Sequence, residues 1–69
     1  MKEVISQILN LLSEGNLEES QNLLLKNITI FPREVQVEIL ASIIEGKMLE
    51  QIEILERIKS SLEKNEHQN

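Results

Sequence analysis

The pattern Glu3-Val4…Ile8-Leu9…Glu14-Gly15…Glu19…Leu24 returns 31 residues later as Glu34-Val35…Ile39-Leu40…Glu45-Gly46…Glu50…Leu55. Eight positions are identical across that shift, and others are conservative, as at Leu12/Ile43, Leu17/Met48 and Lys26/Arg57. A period of this size marks a supersecondary unit used more than once, each copy too small to bury its own apolar face. The chain is therefore constrained to two similar units packed together. Architectures of this kind present surfaces to other macromolecules rather than deep clefts.

Within each copy the apolar spacing is helical. Residues 2–13 set Val4, Ile5, Ile8, Leu9 and Leu12 on one side of a helix. Glu14-Gly15 stops it, because glycine accepts the left-handed conformation that follows a helix end. Asn16 stands where a helix cap is wanted, and Glu19, three residues on, completes a capping-box pattern. A second helix is predicted over 17–29, closed by Phe31-Pro32, since a residue before proline is pushed out of the α region. Pro32 suits the opening of a third helix over 33–45. Gly46 ends that helix as Gly15 ended the first. A fourth is predicted over 47–64, with Glu53 and Arg57 four apart in the order that favours an ion pair. The β-branched residues keep helical spacing, and no two-residue hairpin turn occurs. The expectation is an all-α chain of two antiparallel helical hairpins, residues 2–30 and 33–64. They stack as one small four-helix domain over 1–64, with 65–69 a polar, flexible tail.

Size then asks for association. A chain of 69 residues buries only about 60% of its unfolded surface, and scaffolds this small usually gain margin from a disulfide, a metal or a partner. Cysteine is absent, so disulfides and thiolate metal sites are excluded. The apolar stripes are wide for helices with one neighbour each, which points to a homodimer or a hetero-complex. Phe31, the one aromatic residue, fits either a core position between the hairpins or an exposed anchor for a partner.

Charge narrows the partner. Twelve acidic residues, all Glu, face seven Lys and Arg for a net charge of −5. A phosphate backbone would repel such a surface, so nucleic acid is excluded as a partner. The longest aliphatic run is Leu23-Leu24-Leu25, far short of the ~20 residues of a membrane helix. The amino terminus lacks the apolar core of a signal peptide, and a cytoplasmic location is expected.

Catalytic chemistry finds little footing. The single imidazole, His67, lies near the carboxyl end, with no nucleophile placed beside it by any motif. Glu14 with Glu18, and Glu50 with Glu53, are paired carboxylates at helical spacing, but acid–base work needs a cleft that perturbs them. Glu63 and His67 would make a two-ligand metal site at a helix end. Gly15 and Gly46 are isolated helix stops, not a phosphate loop. No catalytic residue, cofactor or metal is expected.

The stretch Gly15-Asn16-Leu17…Ser20…Leu24…Ile28…Pro32 resembles the second half of a tetratricopeptide repeat. In that motif a turn glycine is followed by an apolar residue, a small residue and a closing proline. Gly15, Leu17, Ser20 and Pro32 stand in those places. The resemblance implies antiparallel helix pairs stacked side by side, with a concave face that binds a peptide or helix of another protein.

The function expected is a non-enzymatic protein–protein interaction module, adaptor or chaperone-like. It would bind an amphipathic helix or peptide through an apolar surface, with Leu17, Leu24, Ile28, Ile52 and Leu55 as contacts shared between core and interface. The alternative is an acidic inhibitor of the immunity or antitoxin type that blocks a basic protein. Its working residues would be Glu50, Glu53 and Glu56, with Glu14, Glu18 and Glu19 in the first copy.

Overall fold

Ile8 and Ile39, and likewise Leu24 and Leu55, hold matching places in the two copies, and all four are buried. The computed structural model describes residues 1–67, and side chains as far as residue 64. Its elements are α1 (Lys2–Ser13), α2 (Leu17–Lys26), a 3-10 turn (Ile28–Ile30), α3 (Arg33–Ile44) and α4 (Met48–His67). The described residues contain no strand. The chain is all-α, as its periodicity requires.

Both glycine stops work the same way. Gly15 and Gly46 adopt φ of +77° and +67°. The Gly15 N–H donates to the Leu12 carbonyl at 3.1 Å and the Asn16 N–H to Leu11 at 2.9 Å. Gly46 and Lys47 repeat the pair onto Ile43 at 3.1 Å and Ser42 at 2.9 Å. This is the Schellman arrangement, in which a left-handed residue lets the last carbonyls of the helix find donors. The capping box expected of Asn16 and Glu19 does not form. Asn16 belongs to the preceding turn as much as to α2, and its ψ of 73° lies outside the extended region a side-chain cap uses.

α2 ends earlier than its spacing suggests. It stops at Lys26, and Ile28–Ile30 tighten into a 3-10 turn. The Asn27 side chain donates to the Leu23 carbonyl at 2.9 Å, in competition with the helical ladder. The β-branched Ile28, Thr29 and Ile30 that follow have little helical preference to resist this. Phe31 is extended, as a residue before proline should be. The Pro32 carbonyl accepts the Gln36 N–H at 3.0 Å to start α3. At the other end α4 continues to His67 rather than stopping at residue 64. The expected tail thus begins as helix, and residues 68 and 69 lie outside the described residues.

The hairpins meet through α1 and α4. α1 packs against both α2 and α4, α3 packs against α4, and the 3-10 turn links α2 to α3. Ile5, Ile8 and Leu12 of α1 join Leu24, Ile39, Ile54 and Leu55 in one core. Phe31 is buried with them, which settles its place as a core residue. Two buried hydroxyls bond within their own helices, Ser20 to the Leu17 carbonyl at 2.8 Å and Ser42 to Ile39 at 2.7 Å. Gln51, the counterpart of Ser20, is buried with its Oε1 lacking a hydrogen-bond partner. No helix among the described residues is long and apolar enough to cross a membrane.

Candidate interaction surface

The residues the sequence singles out for partner contact divide between interior and surface. Leu24 and Leu55 are 1% and 0% exposed. They are core residues with no area left for another chain, because they pack with Ile5, Ile8 and Ile39 in the one core that both hairpins share. Ile28 and Ile52 are half-buried and lean on the core. Leu17 alone of the five is exposed, at 42%. The five do not form one continuous surface.

The most exposed of the bulky apolar side chains lie in the second copy. Val37 is 63% exposed, Ile44 84% and Leu49 71%, with Leu40 beside them. Val37, Leu40 and Ile44 are three and four residues apart, so they share the outward side of α3. Leu49 follows just past the turn, in the first turn of α4. The spacing counts Leu40, Ile44 and Leu49 in the wide apolar stripes without assigning them to a partner surface, although the repeat carries the signal. Their counterparts in the first copy are Ser6, Leu9, Ser13 and Glu18. At three of four places a polar residue has become an exposed apolar one.

Beside this stripe run two adjoining grooves of about 530 Å³ and about 370 Å³. Glu34, Val37 and Glu38 line the first, and Ala41, Glu50 and Glu53 the second; Glu38 and Arg57 border both. Arg57 does not pair with Glu53 as its spacing suggested. It reaches across to α3, where its Nη2 lies 2.7 Å from Glu38 Oε2. An orientation toward the neighbouring helix gives it a short charge-assisted bond that the i,i+4 geometry along α4 does not. The grooves thus hold four carboxylates and one guanidinium, already engaged. At the helix turn Lys47 sits 3.4 Å from Glu45 and 3.7 Å from Glu50. The negative charge of Glu45, then of Glu50, raises its pKa above the ordinary lysine value.

A separate apolar groove of about 460 Å³ lies where the hairpins join, between Ile30, Phe31, Pro32, Ile58 and Leu62. Glu14, in the α1–α2 turn, and Glu18, in the first turn of α2, are exposed. Among the described residues no three His, Asp or Glu side chains come together as a metal site, and the His67 side chain lies outside them. These features define a small all-α bundle with an apolar stripe and an acidic margin. No family model matches the chain, and neither a curated protein nor a solved structure matches it.

Proposed function

We propose that the chain is a non-enzymatic protein–protein interaction module, an adaptor or chaperone-like protein acting in the cytoplasm. It receives an amphipathic helix or peptide on an apolar surface. The observation that carries this reading is the exposure of Val37, Ile44 and Leu49. Bulky aliphatic groups gathered in one stretch of a small protein mark an interaction site, whereas single scattered ones do not. The tetratricopeptide-like helix pairing belongs to the same reading, since stacked hairpins serve as scaffolds for such surfaces.

Tagged protein captured from an extract of its own cells tests the proposal, with the mass of the recovered complex measured afterwards. A stoichiometric protein companion is expected. A monomer recovered alone at micromolar concentration would refute it.

The acidic-inhibitor reading draws on the carboxylates lining the α3–α4 grooves. It requires association to slow steeply as salt rises, because exposed charges steer over a Debye length of only about 8 Å at physiological ionic strength.

A further inference from the structure

α3 has the composition of a helix with two helical neighbours, yet among the described residues α4 is its only substantial one. Its counterpart in the repeat, α1, is packed between α2 and α4. α3 is no less apolar than α1, and its excess lies outward. Val37, Leu40 and Ile44 keep the a–d–a interval by which one helix seats another. The first copy places Ser6, Leu9 and Ser13 at these positions and folds into the same hairpin. The hairpin therefore does not require apolar groups at the places of Val37 and Ile44, whereas Leu9, like other half-buried residues, packs on the core.

We propose that the outward face of α3 seats an amphipathic helix of another protein that carries Lys or Arg along the margin of its apolar stripe. The inference rests on the interaction-module reading and adds the face and the chemistry of the partner. Arg33 stands exposed at the amino-terminal end of the stripe, one turn before Val37, and along the rest of its α4 side the charge pattern selects the occupant. Glu34, Glu38, Glu50 and Glu53 border the stripe on the α4 side, and Arg57 is the one cation lining those grooves. A helix lying on Val37 and Ile44 brings its flank over these carboxylates, where cations are attracted and acids repelled. A second copy of this chain would bring the same acidic margin and its own net charge of −5. A basic amphipathic helix matches both the stripe and the margin.

Three synthetic peptides of about 16 residues, some four helical turns, test this by fluorescence anisotropy. One carries a Leu stripe flanked by Lys, the second has Glu for Lys, and the third scrambles the first so that no stripe forms. The Lys peptide should bind at micromolar concentration, and the other two at least about tenfold more weakly. The double variant Val37→Ser/Ile44→Ser, which installs the residues the first copy carries at these places, should keep its helical circular dichroism and lose about tenfold or more in affinity. Leu25→Glu, on the exposed side of α2, should bind as the parent does.

Equal binding of the Glu peptide, or unchanged binding by the double variant, would overturn the proposal. So would no binding of the Lys peptide, or a dimer in sedimentation that the double variant splits into monomers. Capture from cell extract separates this failure from failure of the broader reading. A partner held equally by parent and double variant would discard the face and leave the interaction module standing. No partner with either would discard both.

Discussion

Arg57 of α4 and Glu38 of α3 are joined across the second hairpin by a 2.7 Å bond between Nη2 and Oε2. Both side chains are largely exposed, so water and salt screen the pair. Exposed pairs typically contribute about 0.2–1 kcal/mol. A double-mutant cycle of Arg57→Ala and Glu38→Ala, read by urea denaturation, should return a coupling within that range. A coupling above about 2 kcal/mol would mean that the pair is sealed from solvent in a way its exposure denies.

The two glycine turns should respond alike to substitution. A Cβ at Gly15 or Gly46 meets nothing within 4 Å, so the cost is conformational alone. Gly15→Ala and Gly46→Ala should each destabilise by about 1–2 kcal/mol, and asparagine at either place by less. Thermal and urea unfolding of the four variants check this. A neutral alanine at either site would show that the residue is not left-handed in the folded protein.

Gln51 should be improvable. Its Oε1 is buried without a partner, and an unsatisfied buried acceptor costs about 1–3 kcal/mol. Gln51→Met keeps the shape and removes the acceptor. The variant should gain about 1 kcal/mol, a rise in Tm of roughly 4–8 °C for a domain of this size. A loss of stability would indicate that the amide is bonded in solution.

Core and surface leucines should separate cleanly. Leu24→Ala and Leu55→Ala each empty a fully buried site and should cost about 2–5 kcal/mol. The exposed Leu17→Ala should stay within about 0.5 kcal/mol. Leu24→Asp should unfold the protein, because it places an unpaired charge in an apolar core. A folded Leu24→Asp variant would contradict the packing described here.

Much of the fold was legible because its signals are local. Gly15 and Gly46 announced two helix ends, Pro32 a third boundary, and the spacing of Ile8, Leu12, Ile39 and Ile43 the buried faces. What a helix packs against is not local. The stripes of α1 and α3 are wide enough to accept several neighbours, so the pairing of α1 with α4 could not be read from them. The same ignorance set Leu24 and Leu55 on a partner surface. An apolar residue looks identical in sequence whether it meets its own hairpin or another chain. Ile44 and Leu49 were findable by asking where the copies disagree, because Ser13 and Glu18 show what those positions carry when they face water.

Titration of the isotope-labelled protein with the Lys-flanked peptide, followed amide by amide by NMR, tests the account most directly. Shifts should concentrate on α3 and the start of α4, at Val37, Leu40, Ile44 and Leu49, and leave α2 unmoved. Shifts centred on α2 or on the groove at Phe31, or a spectrum that does not change, would contradict it.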